Sequence, residues 1–212
     1  MNSCPLCQSE TRLFFLEKKT DKSFFKCSVC DLTHLDKRCR LSPAEEHQRY
    51  KTHNNDIHDP RYQNFVKPLY EQIKQKFSQG HLGLDYGCGD GPVLSHLLTL
   101  DGYNVKLFDP FFKNDVEVFE FKYDFVYATE VIEHMFSPLE DFKKIKELIQ
   151  PNGAFAVMTE FVDSQINFET WYYKNDPTHV CFFSEKSCHW VANHLKFKKF
   201  ERTEKRIGWF FI

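Results

Sequence analysis

Four cysteines near the N-terminus have the spacing of a metal site. Cys4 and Cys7 form one Cys-x2-Cys pair, and Cys27 and Cys30 form a second pair after nineteen intervening residues. Each such turn holds two thiolates at neighbouring corners of a tetrahedron, the geometry that Zn²⁺ takes in structural sites. Four protein ligands leave no position open for a substrate. We therefore predict one structural zinc ion per chain.

A glycine-rich turn between two acidic residues indicates a nucleotide-like ligand. Asp85 ends a short apolar run and precedes the turn 87–91, in which glycine occupies every second position, and Asp109 ends the next apolar run. The third glycine, Gly91, comes one residue too early for the Gly-x-Gly-x-x-Gly fingerprint of NAD. A carboxylate at Asp85 would repel a pyrophosphate and suits a ligand with a positive amino-acid end. Asp109 stands where an acid can bind both hydroxyls of a ribose.

Two histidines are candidate general bases, because imidazole exchanges protons near neutral pH. His134 follows Glu133 after a predicted strand, and His179 lies in a longer segment near the aromatic run 171–173. Either histidine can instead be structural, His134 at a helix start and His179 in a turn. The aromatic run can wall an acceptor pocket or pack in the core. His53 and His58 belong to a polar stretch that could fold over the same site.

Alternating strands and helices must position these residues. Apolar runs predict strands over 81–85, 105–108, 125–128, 154–158, 197–202 and 207–212. Helical spacing and proline or glycine boundaries predict helices over 62–77, 92–98, 138–149 and 185–195. The run Pro151-Asn152-Gly153 predicts a turn before the fourth of these strands. Such alternation favours an α/β fold with a mostly parallel sheet.

Several segments together resemble class I S-adenosylmethionine-dependent methyltransferases. The segment 84–89 resembles their motif I, and 129–134 resembles the stretch after strand 4 in ubiquinone-biosynthesis-type methyltransferases. The turn 151–153 resembles the one before their strand 5. The segments 171–173 and 176–184 are similar to a bacterial subgroup that also carries an N-terminal zinc ribbon.

The resemblance implies a Rossmann-like sheet of seven strands, the last of them antiparallel, and S-adenosylmethionine as the cofactor. The cofactor-binding residues that it implies are Asp85, Gly87 and Gly89 at the methionyl end, Asp109 at the ribose, and Thr129 and Glu130 beside the cofactor. Only fifteen residues, 110–124, separate the strands that would be second and fourth. The third strand and its helices are therefore expected to be shortened.

The chain divides by composition into three parts. Residues 1–38 are a predicted zinc ribbon, 39–60 a polar linker that is helical over 43–50, and 61–212 a methyltransferase domain. A signal-peptide pattern and a run of eighteen apolar residues are both absent from the sequence. A cytoplasmic protein without a membrane span is the expectation.

Three functions remain open at this point. The first is methyl transfer to a small-molecule acceptor, by in-line displacement with a histidine as base. The second is methylation of RNA, with the ribbon holding the nucleic acid. The charge of the chain supports RNA binding only weakly, because the net charge is -2 and residues 1–40 carry eight basic against five acidic residues. The third is a non-catalytic cofactor-binding or interaction protein. The acceptor and the oligomeric state are not predicted.

Overall fold

Two β-sheets organise the protein in the computed structural model, which describes residues 2–52 and 55–212. The strands are β1 Thr11–Glu17, β2 Lys22–Cys27, β3 Thr33–Leu35, β4 Leu82–Tyr86, β5 Asn104–Phe108, β6 Tyr123–Thr129, β7 Ile149–Met158, β8 Cys181–Phe182, β9 Lys199–Arg202 and β10 Ile207–Phe211. The helices are α1 Pro43–Tyr50, α2 Pro60–Lys76, α3 Val93–Leu100, α4 Pro138–Leu148 and α5 Glu185–Leu195.

The larger sheet has the order β5-β4-β6-β7-β10-β9. The strands β5, β4, β6 and β7 are parallel, and β10 runs antiparallel to both of its neighbours. The chain passes from β4 to β5 on one side and then to β6 on the other. Ligands in open α/β sheets bind at such a reversal, outside the carboxyl ends of the strands. This α/β arrangement with a mostly parallel sheet confirms the predicted fold class.

The expectation of seven strands is corrected by the structure, since the larger sheet has six strands in the described part of the chain. A short 3₁₀ helix, Val116–Glu120, occupies the segment between β5 and β6, where a shortened third strand was expected. A parallel crossover needs about ten to twelve residues for itself. Two crossovers and a strand between them do not fit into so short a segment, so β5 is left at the edge.

Both faces of the larger sheet are covered. Along β6, Phe125 and Tyr127 point to the face packed by α2 and α3, whereas Val126 and Ala128 join the core on the other face. This alternation follows from the two-residue period of a strand. The described helices include none that is long and apolar enough to cross a membrane.

The predicted turn at 151–153 lies inside β7. Pairing with β6 jumps from Tyr123–Ile149 to Phe125–Ala154, so several residues of β7 bulge out between these two pairs. Asn152 has a φ of 68° there, a left-handed conformation typical of turns. The turn chemistry of the sequence is therefore present, but the strand begins before it.

The smaller sheet has the order β1-β2-β3-β8 and is antiparallel. Its last strand comes from residues 181–182, more than 140 residues beyond β3 in the sequence. Phe24 of β2 packs against Phe168 and Phe182, with ring centroids 5.2 and 5.9 Å away. The N-terminal strands thus share a sheet and a core with the later segment. The division into ribbon, linker and catalytic domain stays a prediction.

Candidate functional site

A cleft of about 930 Å³ opens at the carboxyl ends of β4, β5 and β6. Its volume is near the upper end of the roughly 300–1,000 Å³ typical of ligand pockets. All eight residues predicted for the cofactor and for catalysis line it: Asp85, Gly87, Gly89, Asp109, Thr129, Glu130, His134 and His179. Residues that are far apart in the sequence thus meet at one edge of the sheet.

Asp85 is a buried carboxylate at the end of β4. Its Oδ2 accepts a hydrogen bond of 2.6 Å from Ser95 Oγ, which lies 2.5 Å from the hydroxyl of Tyr127. Burial raises the pKa of Asp85 to about 7, although these hydroxyls lower it again in part. A carboxylate held in this way gains most from a cationic ligand, because a positive charge offsets its lost hydration.

The turn after β4 keeps the backbone close to the cleft. Gly87 has a φ of 85° and an added Cβ would lie 2.6 Å from Val131 Cγ2, so only glycine fits. Gly89 donates its N–H to Asp109 Oδ2 at 3.0 Å. Asp109 Oδ1 accepts from the amides of Phe111 and Phe112 at 2.8 and 3.0 Å. These amides fix the orientation of the Asp109 carboxylate beside the glycine turn.

Thr129 and Glu130 end β6. Thr129 Oγ1 is buried and has no hydrogen-bond partner among residues 2–52 and 55–212, which is unfavourable unless a ligand supplies one. Glu130 has a φ of 54°, a left-handed conformation that is uncommon for a residue with a side chain. Both of its carboxylate oxygens accept from Arg206 at 2.8 Å. Arg206 carried no signal in the sequence, because it lies outside every motif.

The two predicted bases are neighbours. The rings of His134 and His179 are 4.8 Å apart, and both histidines are largely buried. His134 Nδ1 lies 3.0 Å from the carbonyl of Thr178, and His179 Nδ1 lies 2.7 Å from the carbonyl of Tyr173. A carbonyl can only accept, so Nδ1 carries a proton in both rings, and in the neutral form of either ring Nε2 carries the lone pair. Burial lowers the pKa of His134 and favours its neutral form.

Glu133 was not assigned a role from the sequence, yet it is at the centre of a buried network. Its Oε2 accepts from Thr159 Oγ1 at 2.9 Å, and its Oε1 accepts from the hydroxyl of Tyr173 at 2.5 Å. Tyr173 also lies 3.2 Å from Glu130 Oε2. Burial raises the pKa of Glu133 to about 7 despite these hydrogen bonds. The only feature of the sequence that could have pointed to Glu133 was its position shortly after a predicted strand, next to His134.

The segment before α2 covers part of the cleft. Arg49 of α1 forms an ion pair with Asp176 at 2.6 Å, and Tyr50 packs edge-on against His134. The carbonyl of Asn55 lies against Gly91 so closely that an added Cβ there would be 1.7 Å from it. The predicted helix over 43–50 is confirmed by α1. The polar composition of this stretch had suggested that it could fold over the site, but none of these contacts was predicted.

Of the two histidines suggested in this polar stretch, His53 lies outside the described residues. His58 is exposed, its ring centroid lies 5.6 Å from that of His96, and it is not among the residues that line the cleft.

The four N-terminal cysteines converge. Their sulfur atoms all lie within 4.8 Å of one another, with Cys4–Cys30 at 3.5 Å and Cys7–Cys27 at 3.4 Å. Zn–S bonds of about 2.3 Å at a tetrahedral centre imply S–S distances of about 3.8 Å, so the cluster is compatible with zinc. The pKa of Cys4 is lowered to about 6, chiefly because Cys30 donates a hydrogen bond to its sulfur.

Both cysteine turns have the same backbone form. The amide of Gln8 donates to the carbonyl of Cys4, and the amide of Asp31 donates to the carbonyl of Cys27, each at 3.0 Å. Gln8 and Asp31 have φ angles of 63° and 66°. Two matched turns, each closed by a residue in the left-handed region, direct two sulfur atoms apiece toward a common centre.

Solved methyltransferases share this fold. The chain is similar to human N-acetylserotonin methyltransferase in complex with S-adenosylmethionine, at 13% identity and a TM-score of 0.53 over 80% of this chain and 56% of that one. It is similar to an O-methyltransferase family protein from Burkholderia thailandensis, at 15% identity and a TM-score of 0.52 over 78% and 61%. The chain thus spans less than two thirds of the length of these two proteins.

A third solved structure matches over almost its whole length. It is the Burkholderia thailandensis 1,6-didemethyltoxoflavin-N1-methyltransferase with bound 1,6-didemethyltoxoflavin and S-adenosylhomocysteine, 12% identical, with a TM-score of 0.53 over 96% of this chain and 97% of that one. No curated protein sequence matches the chain. Residues 58–201 match the family described as the methyltransferase domain, and the chain therefore belongs to that family.

Proposed function

We propose that the protein transfers the methyl group of S-adenosylmethionine to a small-molecule acceptor. The observation that carries this proposal is the pairing of a buried carboxylate, Asp85, with a glycine turn and a second acid, Asp109, in one cleft. Membership of the methyltransferase domain family supports the reaction class.

Each of the predicted cofactor residues in the cleft has a proposed partner on S-adenosylmethionine. Asp85 would meet the positive ammonium of the methionyl end, and Gly87 and Gly89 allow that end to approach the backbone. Asp109 would accept hydrogen bonds from the ribose hydroxyls, because each carboxylate oxygen has two lone pairs. The unpartnered hydroxyl of Thr129 is a further point of contact for the cofactor.

A small-molecule acceptor is supported by the size and cover of the cleft. It has room for a second ligand beside the cofactor, and α1 with its Arg49–Asp176 ion pair narrows the opening. The toxoflavin-precursor N-methyltransferase that matches over its whole length is named for a small heterocycle. An RNA strand would need a wider approach and a basic surface.

The two histidines are proposed to help remove the acceptor's proton, with His179 ranked before His134. Their Nε2 lone pairs are the groups that would accept it, and His179 belongs to the segment that carries Tyr173. We expect His179→Ala to lower the turnover rate by about 10²–10⁴-fold with cofactor affinity retained. The same measurement on His134→Ala ranks the two histidines, because the variant of the base should lose more of the turnover rate. Near-normal turnover in both would exclude a histidine base.

A structural zinc ion bound by Cys4, Cys7, Cys27 and Cys30 completes the proposal. Four thiolates at tetrahedral spacing leave no open position, so the ion would stabilise the small sheet without taking part in catalysis. Residues 1–38 would be the ribbon and 61–212 the catalytic domain. Reduced thiols fit a reducing compartment such as the cytoplasm.

Calorimetry with the purified chain tests the proposed cofactor. S-adenosylmethionine and S-adenosylhomocysteine should bind with one site per chain, and NAD should not. Incubation with methyl-labelled S-adenosylmethionine and fractionated metabolites should then label a small molecule. Binding of NAD in place of S-adenosylmethionine, or label in RNA alone, would contradict the proposal.

A further inference from the structure

Three side chains in and beside the cleft form a potential ligand set for a metal ion. Glu133, His134 and His179 each offer one ligand atom, and these atoms lie within 4.8 Å of one another. His134 Nε2 is 4.0 Å from Glu133 Oε1. Ligand atoms around one ion at bond lengths of about 2.0–2.2 Å are about 3–4 Å apart. Small side-chain movements therefore bring the set to bonding distance.

The hydrogen bonds of the two histidines have the form found around metal sites. Metal-binding histidines commonly donate the other ring N–H to a backbone carbonyl or carboxylate, which fixes the tautomer and the ring orientation. His134 does so toward Thr178 and His179 toward Tyr173. In their neutral form both rings would therefore present an unprotonated Nε2, which is the form that a metal requires.

Glu133 is held with similar precision. Thr159 and Tyr173 donate hydrogen bonds to its two oxygens, and ligating carboxylates are themselves usually hydrogen-bonded. The amide of Val180 donates to the carbonyl of Glu133 at 2.8 Å, which joins the backbone beside His179 to the backbone beside His134. These hydrogen bonds keep the three ligands close together although they come from two segments.

The charge around the cluster favours a cation. Acidic side chains outnumber basic ones among the residues that line the cleft. Arg49 is the basic residue of this lining, and the acidic residues are Glu46, Asp85, Asp90, Asp109, Glu130, Asp141 and Asp176. Glu133 lies directly behind this lining and is 1% exposed. The cofactor itself brings one positive charge and Arg206 pairs with Glu130, but the acidic side chains still outnumber these positive charges. A divalent ion lowers the cost of burying the remaining negative charge.

We propose that Glu133, His134 and His179 bind a divalent first-row transition-metal ion, whose open positions hold an oxygen atom of the acceptor. The proposal deepens the methyltransferase function and rests on it. Two imidazoles and one carboxylate suit such ions, and three protein ligands leave positions for water or substrate. A bound ion lowers the pKa of an attached hydroxyl. With both Nε2 lone pairs bound to the ion, the histidines would not accept the proton themselves; the acceptor oxygen would bind the ion, and its proton would pass to water in the cleft.

Titration with Mn²⁺ tests the site without any acceptor. The full zinc-loaded chain is used, because Mn²⁺ prefers oxygen and nitrogen ligands to thiolates. Electron paramagnetic resonance of unbound Mn²⁺ should reveal one saturable site per chain. Glu133→Gln and His179→Gln should each weaken Mn²⁺ binding by roughly tenfold or more. The control His194→Gln, an exposed histidine on α5, should bind Mn²⁺ as the unaltered protein does.

Two further measurements keep the outcomes distinct. Asp85→Asn should weaken S-adenosylmethionine binding and leave Mn²⁺ binding unchanged, so failure of the cofactor proposal is separate from failure of the metal proposal. If the cluster variants do not fold, Mn²⁺ added to the unaltered chain should broaden the imidazole resonances of His134 and His179 before those of His189 and His194. No saturable Mn²⁺ site, unchanged binding in Glu133→Gln, or uniform broadening overturns the metal site.

Discussion

Asp85 combines burial with a negative charge, and this combination explains why its substitution is informative. The hydroxyl of Ser95 is a weak substitute for a cation, and the side chain has little access to water. If the ammonium of the cofactor meets this carboxylate, Asp85→Asn should lose about 1.5–3 kcal/mol of binding free energy. Calorimetry with S-adenosylhomocysteine measures this loss.

A matched control for that variant is Asp101→Asn. Asp101 pairs with Lys74 on the surface and does not line the cleft. Its substitution should leave cofactor affinity unchanged. Equal affinity in Asp85→Asn and the unaltered protein would remove Asp85 from the proposed binding site.

The raised pKa of Asp85 also predicts a pH dependence. Because this pKa is about 7 in the folded protein against a usual 3.8, much of the free protein carries a protonated Asp85 below pH 7. A protonated carboxyl cannot pair with an ammonium group, so affinity for the cofactor should rise between about pH 5.5 and pH 7.5 and then level off. Calorimetry across this range should show the rise, and Asp85→Asn should reduce it.

The raised pKa of Asp85 also affects the folding stability of the free protein, but in the opposite direction: stability should fall as the pH rises, whereas cofactor affinity should rise. A pKa raised by folding contributes stability that is fully present below the unfolded value and lost as pH rises to the folded value. The melting temperature of the free protein should therefore carry a falling contribution between about pH 4 and pH 7. Asp85→Asn should melt with a shallower fall. A slope identical in both proteins would contradict the buried, raised-pKa carboxylate.

At the scale of elements, the cover of the cleft depends on close packing between the segment before α2 and the glycine turn. We expect Gly91→Ala to displace the backbone at Asn55, because the added Cβ would overlap with its carbonyl. Hydrogen exchange in α1 should rise and cofactor affinity should fall. Gly80→Ala is the matched control, since an added Cβ there would lie 3.9 Å from Ser78 Oγ, an ordinary contact distance. Unchanged exchange in α1 of Gly91→Ala would show that this contact does not hold the cover.

At the scale of the whole molecule, the cysteine cluster and the cleft are connected through the small sheet. Strand β3 pairs with β8, and the amide of Leu35 donates to the carbonyl of Val180 at 2.9 Å, directly after His179. Loosening of the N-terminal strands should therefore reach the segment that carries a predicted base. The N-terminal strands are in this respect part of the support of the site.

We expect Cys27→Ser to lose the bound zinc, lower the melting temperature and increase hydrogen exchange at 180–182. Removing a ligand of a structural site removes the folding energy that the metal supplies. Metal analysis, thermal melting and exchange mass spectrometry measure these three effects. Cys39→Ser is the control, because Cys39 lies outside the cluster. Full zinc content in Cys27→Ser, or loss of zinc in Cys39→Ser, would contradict the assignment.

Local chemistry in the sequence was sufficient for a large part of the fold. The bounds of α5, Glu185–Leu195, and of α1 agree with the prediction, because capping residues, prolines and helical spacing act within a few residues. The cysteine turns and the acids at the ends of β4 and β5 were also visible, since each depends on a short spacing. The resemblance of the segments around them to class I methyltransferases implied the fold and the residues of its cleft.

Contacts between distant segments were decided only in the tertiary structure. The pairing of β3 with β8, the ion pair of Arg49 with Asp176, and the approach of His179 to Glu133 join residues far apart in the chain. That the segment between β5 and β6 forms no strand also depended on the path that the chain takes from one side of β4 to the other. Such contacts depend on the path of the whole backbone, which no local spacing encodes, and they determine what the cleft can bind beside the cofactor.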